Sequence, residues 1–288
     1  MRDVIVIGGG PAGVSAAIYL KRFKLDVAIV MKDQGTLANT DHIENYYGIV
    51  EPITGSDLFA LGIAQAKRLE IPVLVEEVLN IDAFDGFKVK TNQSEHEAKA
   101  VLLATGMNKA GLKVKGFQEY IGKGISYCAV CDGFLYRNKR IGIVGTGDFM
   151  FEELEVLENF TKDIVIFTNG ESLGKEVTKH KTITEKIKAL KGDDVLKVVE
   201  TIDGDHEVDV LFVAMGTASA ADFALRMGAF TENNSIVVDE NFMTNIPGLF
   251  AGGDCIGGLR QIAKAVDDGA KAAIAINKHL KGKTQIKA

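Results

Sequence analysis

Residues Asp3-Val4-Ile5-Val6-Ile7 run directly into Gly8-Gly9-Gly10-Pro11-Ala12-Gly13. A short apolar run that ends in glycines and opens a helix leaves little choice of fold. It predicts a buried strand, a tight turn and a helix packed back on that strand, the start of a βαβ unit. In a Gly8-x-Gly10-x-x-Gly13 pattern the first glycine permits the turn and the second lets a pyrophosphate reach the backbone. The third lets helix and strand pack closely, and the helix N-terminus faces the phosphate charge. The helix is expected over 12–22 and a second strand over 27–30. A ribose-binding carboxylate is usual at the end of that strand. Met31-Lys32-Asp33 stands there, and Asp33 is given no role.

The pattern recurs. Arg140-Ile141-Gly142-Ile143-Val144 leads into Gly145-Thr146-Gly147-Asp148, and a helix is expected over roughly 149–160, then a strand over 163–167. Strands are expected over 73–78, 87–91, 100–104 and 208–214, and helices over 56–69 and 261–280. Strands alternating with helices predict an α/β fold with parallel sheets. Two such starts in 288 residues predict two Rossmann-like (FAD/NAD-binding) domains. The lysines between 175 and 191 fall at roughly helical spacing and predict a solvated helix face.

The net charge of −6 argues against nucleic acid as a partner. No apolar run is long enough for a membrane span. The chain enters a strand at once, so no signal peptide is expected and the compartment is expected to be cytoplasmic. The three cysteines are too few for a secreted disulfide framework. Two of them form Cys128-Ala129-Val130-Cys131-Asp132, and a Cys-x-x-Cys pair outside the secreted class reads as redox or metal. A structural zinc needs about four ligands, and no second ligand pair occurs, so no metal is expected. Glycine turns on either side of a Cys-x-x-Cys pair suggest a flavoenzyme that moves electrons into protein disulfides. Near the C-terminus, Phe250-Ala251-Gly252-Gly253-Asp254 reads as the second half of an FAD site. Asp254 is placed to accept a hydrogen bond from the ribityl chain. Arg260-Gln261-Ile262 opens a helix whose N-terminus can approach the flavin.

These residues, with Ile43-Glu44-Asn45-Tyr46-Tyr47-Gly48, Ala104-Thr105-Gly106 and Ser126-Tyr127-Cys128-Ala129-Val130-Cys131-Asp132-Gly133-Phe134, resemble the low-molecular-weight flavoprotein thioredoxin reductases in order and approximate spacing. The resemblance implies FAD, a homodimer, and an FAD domain (1–113 and 239–288) holding an inserted domain (114–238) that carries the cysteines. It implies FAD contacts from Gly8, Gly10, Pro11, Ala12, Gly13, Asn45, Thr105, Gly106, Asp254, Arg260, Gln261 and Ile262. It further implies that Cys131 faces the flavin, that Cys128 attacks the thioredoxin disulfide, and that Asp132 carries the proton. Thiolate attack and departure need such a carrier within reach. Phe134 and Leu135 match positions that form an apolar docking surface for thioredoxin, although core packing serves equally well for such residues. Cys255 is expected to be a small buried residue near the flavin.

The second glycine turn departs from the NADPH-dependent members. There, small residues follow the turn, and arginines after the next strand hold the 2′-phosphate. Here Phe149-Met150-Phe151 follows Asp148, the strand ends in Thr168-Asn169-Gly170, and no arginine occurs between Arg140 and Arg226. This resembles the ferredoxin-dependent flavin thioredoxin reductases, which implies reduced ferredoxin as electron donor and thioredoxin as acceptor. An NAD(P)H-dependent enzyme with an atypical pocket is the alternative. Candidate ferredoxin contacts are Lys109, Lys113, Lys115 and the lysines between 175 and 191.

Overall fold

In the computed structural model the strand β1 (Arg2–Ile7) lies inside a parallel sheet, because from Val4 to Ile7 it offers only apolar side chains to either face. Val4, Ile5 and Val6 are fully buried. The described residues are 1–83, 85–106, 112–127, 129–175, 177–215, 220–232 and 235–286, the side chains of 130, 131 and 283–286 aside. They divide into two compact units, Met1–Met107 with Ser219–Ala288, and Asn108–Ala218.

In the first unit, β1 is followed by α1 (Pro11–Arg22), β2 (Val27–Met31), α2 (Gly55–Arg68), β3 (Val73–Val75), β4 (Val78–Asp82), β5 (Phe87–Thr91) and β6 (Glu95–Leu103). The sheet order is β3-β2-β1-β6-β5-β4. Val4 stands opposite both Val27 and Ala100 in parallel register. The first half of β6 pairs antiparallel with β5, so β4, β5 and β6 form a meander on the edge.

The second unit repeats this plan. Its elements are β7 (Ile125–Ser126), α3 (Ala129–Asp132), β8 (Ile141–Val144), α4 (Asp148–Leu157), β9 (Ile164–Phe167), β10 (Lys181–Ile183), β11 (Ile187–Gly192), β12 (Leu196–Thr201), β13 (Asp205–Glu207) and β14 (Val210–Val213). A parallel sheet runs β10-β9-β8-β14-β7, and β11-β12-β13 form a separate antiparallel meander. The chain then returns to the first unit through α5 (Ala220–Arg226), β15 (Thr231–Glu232), β16 (Ser235–Ile236), β17 (Leu249–Ala251) and α6 (Ile262–Ile286). β17 adds to the first sheet beside β6, with Phe250 opposite Leu102.

Two expectations change. The lysine-rich stretch is β10 and β11, not a helix. Lys186-Ile187-Lys188-Ala189 alternates at period two, and its apolar members are buried while both lysines are exposed. The return to the first unit comes at Ser219, ahead of the expected 239. Arg226 Nη1 donates to the Leu79 carbonyl at 3.2 Å, and the Ala220 amide donates to Thr105 Oγ1 at 3.1 Å. Those two bonds tie 220–226 to the first unit.

Candidate active site

The turn between β1 and α1 has the geometry that its glycines predict. Gly8 sits at φ +117°, and a Cβ there would lie 2.3 Å from the Ala104 carbonyl oxygen. At Gly13 a Cβ would lie 1.9 Å from the Gly8 carbonyl oxygen. At Gly10 it would meet nothing within 4 Å, so the backbone there is open to a ligand. Pro11 starts α1, and Gly10 at the N-cap offers no side-chain acceptor to the first turn. Those amides and the helix dipole suit a pyrophosphate. Helix α6 crosses α1 closely, and a Cβ at Gly269 would lie 2.1 Å from the Ala12 carbonyl oxygen. We predict that Gly13→Ala, which cannot be accommodated without moving the Gly8 carbonyl, costs about 1–3 kcal/mol of stability and lowers FAD retention. Thermal unfolding and flavin content per chain check this.

Asp254 follows β17 in a single 3-10 turn, Asp254–Ile256. Its predecessor Gly253 packs on α1, where a Cβ would lie 2.9 Å from the Ala12 Cβ. The chain thus brings Asp254 beside the glycine turn from about 240 residues away. Asp268, almost fully buried, accepts from the Gly253 amide at 2.9 Å and from Lys264 Nζ at 2.7 Å. Lys264 also donates to the Gly253 and Gly257 carbonyls, at 3.0 and 2.7 Å. Asn45 Nδ2 donates to Gln261 Oε1 at 3.1 Å, joining two further predicted FAD residues. Arg260 and Gln261 are exposed, and Ile262 begins α6. The Thr105 hydroxyl oxygen accepts from the Ala220 amide at 3.1 Å, and Gly106 follows at φ +70°. Asp33 Oδ1 accepts from the Gly35 amide at 2.7 Å and shapes a local turn. Cys255 is buried, with Sγ against the Leu103 and Gly252 carbonyls. Burial pushes its thiol pKa up to about 12, so it stays protonated.

Of the cysteine motif, Cys128 lies outside the described residues, and Cys131 lies in the one-turn helix α3. Asp132 closes that helix, half-buried, and Ser126 Oγ donates to its Oδ2 at 2.7 Å. Burial pushes the Tyr136 phenol above its ordinary value, and the Asp132 carboxylate adds to the shift. Phe134 and Leu135 are 56% and 61% exposed, which removes them from the core. Glu153 was not foreseen from the sequence. It is 2% exposed and its Oε2 accepts from the Ala129 amide at 2.7 Å. The one signal that could have found it is a carboxylate on the apolar face of a helix.

The second glycine turn is covered. Phe149 and Met150 are buried at the start of α4. Glu171 Oε2 accepts from Thr146 Oγ1 at 3.0 Å, and the Gly174 amide donates to the Thr146 carbonyl at 3.1 Å. Lys175 lies 3.0 Å from Asp148 and over the Phe151 ring at 5.3 Å. After β9, Thr168 is buried, and Asn169 Oδ1 accepts from the Ile187 amide at 2.9 Å. None of the residues 168–170 is basic. Arg140 is at the far end of β8, paired with Asp163 at 3.0 Å.

Two nucleotide-type units, the second with a Cys-x-x-Cys pair, define a flavin disulfide oxidoreductase, and comparison with known proteins agrees. Residues 2–269 match the pyridine nucleotide-disulphide oxidoreductase family, and the chain belongs to it. Its place within that family is among the thioredoxin reductases, FAD-binding flavoproteins. The thioredoxin reductase of Aquifex aeolicus is 33% identical over 99% of this chain and 95% of its own length. The crystal structure of the atypical thioredoxin reductase TRi from Desulfovibrio vulgaris Hildenborough matches with a TM-score of 0.89 at 35% identity, over 98% of this chain and 99% of that one. A ferredoxin-flavin thioredoxin reductase from Clostridium acetobutylicum matches with a TM-score of 0.73 at 28% identity, over 98% of each chain.

Proposed function

We propose that this chain is an FAD-dependent thioredoxin reductase that draws its electrons from reduced ferredoxin. The observation that carries the donor assignment is the covered glycine turn of the second unit. A nucleotide pyrophosphate would have to displace the Glu171 and Lys175 contacts and enter where Phe149 and Met150 pack, with no arginine after β9 to reward it. One similar structure, the ferredoxin-flavin thioredoxin reductase from Clostridium acetobutylicum, supports the same reading. The alternative, an NAD(P)H-dependent thioredoxin reductase with an atypical pocket, draws support from the survival of Gly145 and Gly147. Anaerobic flavin reduction by ferredoxin, NADPH and NADH, compared side by side, tests the assignment.

Bound FAD supplies the conversion of single electrons into a two-electron reduction of the cysteine pair. The open backbone at Gly10 and the first-turn amides of α1 would hold its pyrophosphate, Asp254 its ribityl chain, and the start of α6 its flavin end. In the chemistry of this chain's own residues, the Cys128 thiolate attacks the thioredoxin disulfide. A mixed disulfide forms and one thioredoxin thiolate leaves. The Cys131 thiolate then attacks the Cys128 sulfur, which closes the internal disulfide and releases the second thioredoxin thiolate. Asp132, held by Ser126, takes a proton from the attacking thiol and returns it to the leaving one. Asp132→Asn should slow the exchange about 10²-fold with FAD content unchanged; an unchanged rate returns Asp132 to a structural role. Phe134 and Leu135, exposed side by side, are the apolar contact for thioredoxin.

The driving force suffices. A ferredoxin near about −400 mV and a thioredoxin near about −270 mV differ by about 130 mV, roughly 6 kcal/mol for two electrons. The protein works as a homodimer in the cytoplasm in this reading. A largely apolar cleft of 350 Å³ lined by Gly9, Gly10, Pro11, Tyr46 and Ile262 gives the FAD room beside the first glycine turn. The ferredoxin contacts narrow. Lys175 is paired with Asp148, and Lys191 with Glu200 and Asp205. Lys109 lies outside the described residues. Lys113, Lys115, Lys179, Lys181, Lys186 and Lys188 are exposed and stay as candidates.

A further inference from the structure

We propose that Glu153 is the positioning residue of the redox turn, and that α4 is kept in this chain as the holder of that turn. The inference rests on the reading of Cys128 and Cys131 as the redox pair. A carboxylate as buried as Glu153 is rare, because loss of water is costly unless hydrogen bonds replace it. Its neighbours on the buried face of α4 are Phe149, Met150, Leu154 and Leu157, among which a leucine would sit at no such cost. The carboxylate reaches instead to the Ala129 amide, 24 residues earlier. Ala129 comes directly after Cys128 in the sequence and is itself fully buried. The bond therefore grips the redox turn between its two cysteines.

The same helix supports the far end of the turn. A Cβ at Gly133 would lie 2.8 Å from two carbons of the Phe160 ring and 3.5 Å from Leu157 Cδ2. So the residue after Asp132 is seated against Leu157, the last residue of α4, and against Phe160 three residues beyond it. Between these points Ser126 ties down Asp132. The glycine turn sets where the helix begins. Gly145 is at φ +155°, and a Cβ there would lie 2.2 Å from the Ala214 carbonyl oxygen and 3.0 Å from the Met150 Cβ. That packing explains why Gly145 persists where the nucleotide seat is filled. It aims α4, and α4 holds residues 129–133. A bare hydrogen-bond acceptor meets the demand of the Ala129 amide, so glutamine can replace Glu153 and leucine cannot.

The test reduces the flavoprotein with dithionite and mixes it anaerobically with oxidised thioredoxin, so that no natural donor is involved. Single-turnover exchange is read by quenching and thiol alkylation. Glu153→Leu should exchange about 10-fold or more slowly, with FAD content unchanged, whereas Glu153→Gln should stay within about 3-fold of the unaltered protein. Should the leucine variant not fold, Glu153→Ala takes its place in the same comparison. Exchange at the unaltered rate in Glu153→Leu or Glu153→Ala overturns the proposal. So does a Glu153→Gln protein as slow as either. Failure of the unaltered protein to reduce thioredoxin counts against the redox-pair reading itself, and is told apart by that control.

Discussion

Millimolar NADPH or NADH leaves the flavin of this protein oxidised, while stoichiometric reduced ferredoxin bleaches it; that is the expected outcome under anaerobic conditions. The magnitude comes from contacts. A 2′-phosphate clamp of several arginines supplies charge-assisted hydrogen bonds worth about 1.5–3 kcal/mol each, and every 1.4 kcal/mol is about tenfold in affinity. Losing two or three such bonds weakens NADPH by several orders of magnitude. NADH needs no clamp, but it still needs the pyrophosphate seat. That seat is where the Glu171 carboxylate bonds Thr146, adding a negative charge beside a site that must accept another. Double replacement of Glu171 and Lys175 by alanine should not restore NADH turnover, because Phe149 and Met150 stay buried beneath. Ferredoxins are commonly acidic and this chain carries −6, so docking depends on a local basic patch. Charge reversal at the true patch among Lys113, Lys115, Lys179, Lys181, Lys186 and Lys188 raises the KM for ferredoxin, and salt weakens the native interaction. Rapid stoichiometric reduction by NADPH would sink the donor assignment and leave the ordinary enzyme.

The first βαβ unit was readable because two demands coincide in one stretch. Val4–Ile7 can only be buried, and Gly8 and Gly13 are each fixed by a backbone approach visible as a spacing. The link between Asn45 and Gln261 was readable only through family likeness, since a hydrogen bond between residues 216 apart leaves no local pattern. The lysine stretch misled because lysine is common on both helix and strand surfaces. The decisive signal was the period of the intervening Ile187 and Ala189, not the charges. Glu153 and the Lys264–Asp268 pair were missed for a different reason. Each is a charged residue inside a helix, ordinary by composition, and only its bond to distant backbone makes it unusual. Covering of the second glycine turn lies between these cases. Phe149 and Met150 announced a filled seat, but the Glu171–Thr146 bond depends on a loop path that no local rule sets.

Cys128→Ser and Cys131→Ser should each abolish thioredoxin reduction while sparing FAD, since the residues proposed to hold FAD belong to the first unit and the cysteines to the second. A hydroxyl cannot replace a thiolate in disulfide exchange, because at neutral pH it is neither ionised nor able to form the mixed disulfide. The residual rate therefore falls to background rather than by a modest factor. The two variants differ in what they leave behind. In Cys128→Ser the remaining Cys131 should give a long-wavelength charge-transfer band with oxidised flavin, and no covalent complex with thioredoxin should form. In Cys131→Ser the remaining Cys128 should trap thioredoxin as a mixed disulfide that no second thiol resolves, visible on a non-reducing gel and released by dithiothreitol. Cys255 cannot stand in for either. Its thiol, with a pKa pushed up to about 12 by burial, is protonated at any pH used, so the double variant Cys128→Ser/Cys131→Ser should trap nothing. Trapping by Cys128→Ser and a charge-transfer band in Cys131→Ser would reverse the two roles. Turnover retained in both single variants would remove the pair from the reaction altogether.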